Sequence, residues 1–193
     1  ISEAEMISPN VEVGDSIQIE MPSEDFGRIA AQTAKQVILQ KIRESEKDAV
    51  ISEYSDKVGE VFSALMQRMQ KGQVVFEIGK ATAFMPAEEQ ITNEFYRMGD
   101  RYKVLLKEIV DSQMIVSRAD PKFLIELFKL EVPEIESGIL EVKAIAREAG
   151  SRSKMAVVSN QAGVDPIGSC VGQRGIRIAN VMNELGEEKI DII

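Results

Sequence analysis

Gly172, Gln173, Arg174 and Gly175 form the chain's single GxxG tetrad, inside the closing stretch DPIGSCVGQRGIRIANVMNELGEEKIDII. Glycine is costly within a helix and belongs where backbone must turn or be approached closely. Three glycines within eight residues (Gly168, Gly172 and Gly175) therefore mark either a corner or a surface against which a ligand's backbone lies. The tetrad alone says little, since roughly one such pair arises by chance in a chain of this glycine content. Its surroundings say more. Between Arg147 and Arg177 stand five basic residues (Arg147, Arg152, Lys154, Arg174 and Arg177) against two acidic ones (Glu148 and Asp165). Such a local excess is what binding to a phosphate backbone requires, whatever the overall charge.

Other chemistries are poorly supplied. The chain has no histidine and a single cysteine, Cys170. That removes histidine-dependent triads, most zinc sites and any internal disulfide framework, and it fits a reducing compartment. Cys170 reads as a small packing residue. Gly168 is not followed by GK[ST], so there is no phosphate-cradling P-loop, and no G-x-G marks a dinucleotide fold. Ser151 to Lys154 spells S-x-x-K without the partner motifs that would give it meaning. The carboxylates show no spacing suited to a nuclease metal site, so no enzyme, metal or cofactor is expected. The net charge of −9 is spread unevenly, at −6 over residues 1–57, −1 over 58–121 and −2 over 122–193. No apolar run approaches the ~20 residues that cross a bilayer, and no signal peptide is visible. The chain opens at Ile1 in a polar stretch and stops on IDII, which reads as a piece of a longer protein.

The elements that must carry the tetrad follow from periodicity, and they divide the chain at about residues 1–53, 54–120 and 121–193. In the first part, Ile17, Ile19 and Met21 alternate with Gln18 and Glu20 as a strand. A long helix then starts near Ser23, with Phe26, Ile29, Ala30, Ala34, Val37, Ile38 and Ile42 at helical spacing and a solvated acidic end after Arg43. The middle part holds five short strand candidates with one longer insertion before the fourth, the pattern of a small closed barrel of the OB type. The last part reads helix–strand–strand–helix–helix–strand. Pro121 opens its first helix, and the pair Asp165–Pro166 opens the helix before the tetrad. A GxxG joining two helices in this order is the layout of a KH domain, whose loop admits a nucleic-acid backbone while a groove beside it holds about four nucleotides. Gln173 and Arg174 then face phosphates. Arg177, Ile178, Arg147, Arg152 and Lys154 complete the candidate RNA surface.

Longer stretches resemble the NusA family of bacterial transcription factors. DFGRIAAQTAKQVILQKIRE is similar to the end of its polymerase-binding N-terminal domain. GKATAFMPAEEQ and YRMGDRYKV are similar to its OB-type barrel, named after ribosomal protein S-one. LFKLEVPEI, the SRSK segment and the closing stretch are similar to its first, prokaryotic-type KH domain. The fold class expected is thus multidomain α+β: a long helix with a strand, a five-stranded barrel, then α-β-β-α-α-β. Barrel before KH is the family's order, whereas polynucleotide phosphorylase carries KH first.

The resemblance implies a cytoplasmic, non-enzymatic elongation factor. Its partners are RNA polymerase, single-stranded nascent RNA and other antitermination factors, and it acts on pausing, termination and antitermination. It also implies a second KH module after Ile193 and missing sequence before Ile1. The barrel departs from its RNA-binding relatives, placing Val75 at their exposed aromatic position and Pro86 at their histidine. Base stacking on an aromatic platform supplies ~1–3 kcal/mol per base, so this barrel is expected chiefly to orient its neighbours. Lys71, Lys80, Arg101, Lys103 and Arg118 are its candidate phosphate contacts. Two other functions compete: a protein-interaction scaffold with a vestigial RNA surface, and, more remotely, an enzyme.

Overall fold

The computed structural model describes residues 26–186 and 188–193. The chain parts into two compact units, residues 1–44 and 45–193. The strand expected at residues 17–21 and the helix cap expected at Ser23 lie outside the described residues. No described helix is long and apolar enough to cross a membrane.

Helix α1 runs Phe26–Ser55. Residues 31–49 are all exposed, the apolar Val37, Ile38 and Ile42 included, and burial begins only in the last two turns of the helix. There Ile51 is buried in the barrel core. The Tyr54 hydroxyl donates to the Ile78 carbonyl at 3.2 Å, and its ring meets Phe62 edge-on with centroids 5.6 Å apart. The Ser112 hydroxyl donates to the Asp48 carboxylate at 2.7 Å.

Five strands follow: β1 (Val61–Gln70), β2 (Gln73–Ile78), β3 (Ala81–Met85), β4 (Arg101–Val110) and β5 (Gln113–Ser117). They close in the order β1-β2-β3-β5-β4, with β3 and β5 forming the parallel seam. The five strand candidates of the middle segment are therefore all formed. Inward residues such as Ala64, Val74, Phe76, Val104 and Met114 fill the interior, because successive side chains of a strand point to opposite faces. Lys71–Gly72 and Asp111–Ser112 turn their hairpins with both residues at positive φ, the backbone twist that two-residue hairpin loops favour. Phe76 is core and Phe84 half-buried. Val75 has no exposed surface, so this position offers no platform for a base, in keeping with the expected lack of an aromatic ring there.

In the last part, α2 (Pro121–Glu131) is capped by Asp120, which accepts from the Lys122 amide at 2.8 Å. Pro133 starts an extra single turn, α3 (Pro133–Glu136), which periodicity over four residues cannot announce. Strands β6 (Leu140–Glu148) and β7 (Arg152–Ser159) pair antiparallel, and β8 (Lys189–Ile192) joins β7 in parallel. Between them lie α4 (Pro166–Val171) and α5 (Ile176–Leu185). The order is that of the prokaryotic KH fold with one turn added. Its core of Phe123, Leu127, Phe128, Met155, Cys170 and Val181 takes in Ile91 and Leu105 from the barrel segment, while the barrel keeps a separate interior of its own.

Candidate nucleic-acid interface

Asp165 opens the helix that delivers the tetrad, its carboxylate accepting from the Ile167 amide at 3.1 Å while Pro166 fills the first helical position. Six residues later Gly172 stops the helix at φ 76°, ψ 174°. That region is essentially closed to residues with a Cβ. Arg174 stands at φ 55°, ψ 23° and Gly175 at φ 77°, ψ 14°, both left-handed. Three positive φ values in four residues reverse the chain and start α5 at once. Gln173 and Arg174 project into solvent, and a cleft of about 540 Å³ opens beside them, walled by Asp165, Ser169, Ile176 and Arg177. No acidic side chain lies in the first turn of α5, so the partial positive charge of its N-terminus is not cancelled there.

The two glycines should respond differently to substitution. Gly172→Ala is expected to destabilise the chain by about 1–3 kcal/mol, the range for a side chain forced into a glycine-only region. Gly175→Asn should be nearly neutral, because asparagine tolerates the left-handed region. Denaturant unfolding of the two variants checks this; equal losses would contradict the geometry.

Arg177, in the first turn of α5, lines the cleft with 31% of its side-chain surface exposed, and turns its Nη1 toward the protein. Its Nη1 donates to both carboxylate oxygens of Glu134 at 3.0 and 3.1 Å and to the Ser169 carbonyl at 2.7 Å. The Glu134 carboxyl is held below the ordinary glutamate value, first by its own backbone amide; burial opposes this and Arg177 adds to the lowering. Beneath the loop, Cys170 is buried, and burial with the nearby Glu134 charge pushes its thiol up to about 11. It is a packing residue and not a nucleophile.

This loop belongs to a described type. Residues 118–193 match the NusA-like first KH domain, and residues 1–48 match the NusA N-terminal domain. The whole chain aligns at 45% identity with the transcription termination/antitermination protein NusA of Bacillus subtilis, covering 53% of that protein. It aligns equally well with the NusA of Thermus thermophilus, covering 51%, and at 43% with that of Halalkalibacterium halodurans, covering 52%. The chain belongs to the NusA family. It spans about half the length of these NusA relatives.

Within this NusA chain the candidate residues separate. Gln173, Arg174 and Gly175 meet at the loop tip, and Ile178 turns inward against the KH core. Arg152 and Lys154 are exposed on β7, where Arg152 pairs with Asp191 of β8 at 2.7 Å. Arg147 is a correction. Its side chain is wholly buried, its Nε and Nη2 each donating at 2.9 Å to Glu188, with the cation 5.8 Å from the Phe123 ring. A guanidinium so enclosed offers nothing to a phosphate.

The barrel of this NusA chain needs the same correction at Arg118, which has no exposed side-chain surface. It grips Glu94 with two bonds of 2.7 and 2.8 Å. It also donates to the Glu184 carboxylate at 3.0 Å, the Glu184 carbonyl at 2.8 Å and the Lys103 carbonyl. All five of its N–H donors are thus used. Burial opposes its charge, but the Glu94 and Glu184 carboxylates outweigh that and hold it charged. Lys103 also leans toward Glu184, at 3.9 Å. Lys71 and Lys80 remain exposed at opposite ends of β2, and Arg101 is exposed at the start of β4. The acidic partners Glu94, Glu134, Glu184 and Glu188 were not singled out by spacing. Each stands between 24 and 66 residues from its arginine, beyond any local pattern.

Proposed function

We propose that the chain is part of a non-enzymatic transcription elongation factor. Residues 1–53 contact RNA polymerase, and the KH loop holds single-stranded nascent RNA, which modulates pausing, hairpin-dependent termination and antitermination in the cytoplasm together with other antitermination factors. The observation that carries this is the tetrad itself: Gln173 and Arg174 exposed at the start of α5, beside an open cleft, with no carboxylate in the helix's first turn. Gly172, Gly175, Arg152 and Lys154 belong to this surface by their exposure or backbone geometry. The barrel acts chiefly as a mount for the KH domain, with Lys71, Lys80, Arg101 and Lys103 as secondary electrostatic contacts.

The test is single-stranded RNA binding over a salt series, comparing the chain with a Gln173→Asp, Arg174→Asp double variant that keeps both glycines. Each lost phosphate contact should flatten the log–log salt slope by ~0.7. Affinity and slope are expected to fall together with folding intact. Binding equal to the parent's, with polymerase binding preserved, would instead favour a scaffold with a vestigial RNA surface.

A further inference from the structure

The two glycines of the tetrad meet different surroundings. A Cβ on Gly175 would meet nothing within 4 Å, whereas one on Gly172 would fall 2.8 Å from Cγ of Arg177, 3.0 Å from Cδ and 3.1 Å from Cβ. We propose that Arg177 is a positioning residue of the RNA loop and not a phosphate ligand: together with Glu134 it sets the shape of Gly172–Gly175 before RNA arrives. The proposal rests on the RNA-binding reading above.

Three contacts make the case. The guanidinium of Arg177 bonds the Ser169 carbonyl in the last turn of α4, one of the helix-end acceptors that lack a partner within their own helix. The same group is neutralised by Glu134 of α3, so the loop is anchored to an element outside its own helix pair. The aliphatic stem of Arg177 occupies the space beside Gly172 that a side chain there would need. One turn further along α5, the Asn180 amide donates to Glu131 at 2.9 Å and repeats the tie to the end of α2. Gly172 is thus glycine because of what lies inside the protein. Gly175 faces open space, where a ligand backbone can come close.

Electrostatics gives the two roles opposite signs. If Arg177 bound phosphate, Glu134 would compete with RNA, and removing its charge would tighten binding. If the pair shapes the loop, removing that charge weakens binding, because a loop ordered only on binding forfeits part of its affinity.

The experiment measures binding of mixed-sequence single-stranded RNA over a salt series for the full chain, Glu134→Gln, Arg177→Lys and the double variant. Glu134→Gln is expected to bind about three- to tenfold more weakly at every salt concentration with the slope unchanged. Arg177→Lys, which keeps the charge, should lose as much, and the double variant little more, since the two residues act as one unit. Tighter binding by Glu134→Gln, or full affinity in Arg177→Lys, overturns the proposal.

Hydrogen exchange of the Gly172 and Gly175 amides in the RNA-free chain tests it separately. Exchange should quicken about tenfold in Glu134→Gln as the loop loses local stability, and unchanged exchange overturns it. A parent chain without salt-dependent RNA affinity refutes the RNA-binding reading, while the exchange result still decides what Arg177 and Glu134 do to the loop.

Discussion

Arg118→Ala should destabilise the barrel–KH unit by about 3 kcal/mol, at the lower end of the 3–5 kcal/mol seen when one partner of a buried ion pair is removed. The truncation strands two carboxylates and two carbonyls that now share one guanidinium. It also empties the space between the Tyr102 and Phe123 rings, which lie 5.7 and 5.3 Å from the cation. The loss stays at that lower end because Glu94 and Glu184 keep 20% and 23% of their side-chain surface, so water can partly replace the arginine. Against a total stability of roughly 5–15 kcal/mol for a domain, the loss is large. Arg118→Lys should recover only part of it, because an ammonium is a point charge with three donors where the site uses five. Urea unfolding measures both. A loss below ~1 kcal/mol for Arg118→Ala would mean that the pair behaves as a surface salt bridge and that apolar contacts such as those of Ile91 and Leu105 with the KH core join the two modules.

Glu188→Gln should cost about 3 kcal/mol at neutral pH, since it leaves the enclosed Arg147 without its counter-charge. The carboxylate accepts from Arg147 Nε and Nη2, from the Gly150 amide at 3.0 Å and from the Ser153 hydroxyl. Burial alone would push its pKa up, but these donors outweigh burial and hold it below the ordinary glutamate value. A depressed folded pKa means stability that is fully present above the unfolded value of about 4.3 and is lost as pH falls through the folded one. The parent should therefore lose stability in acid more steeply than Glu188→Gln, and the gap between them should close as Glu188 protonates. Urea midpoints from neutral pH down into acid would show it. Parallel curves would mean that this carboxylate carries no charge-dependent stability.

The sequence disclosed its local devices well. Pro121 and the pair Asp165–Pro166 announce helix starts because cap and ring act within three residues; the Asp165 cap is formed as expected, and Asp120 caps the other helix in the same way. Alternation in Tyr102–Leu106 exposes a strand because its period is two. Ion pairs made by the fold leave no such trace. Arg118 and Arg147 read as phosphate contacts because a lone basic residue in a sequence looks solvated. Only the folded chain brings Glu94, Glu184 and Glu188 to them. The loop was legible for the opposite reason: Gly172–Gly175 is contiguous, so its two glycines mark the turn in the sequence even though distant residues brace it in the fold. The acidic run ESEKDA likewise concealed that α1 reaches the barrel, since one residue, Ile51, carries most of the burial there.

That last contact moves the place at which the barrel can be severed from the chain. By strands alone it begins at Val61, yet its floor is laid ten residues earlier, where Ile51 plugs the interior and Tyr54 reaches the carbonyl of Ile78. The Tyr54 hydroxyl can lie there because position 79 carries no side chain, for a Cβ on Gly79 would come within 2.9 Å of it. The last two turns of the helix and the bend after β2 are therefore fitted to one another. A fragment trimmed to the first strand would keep every rung of the barrel's ladder and lose its stopper.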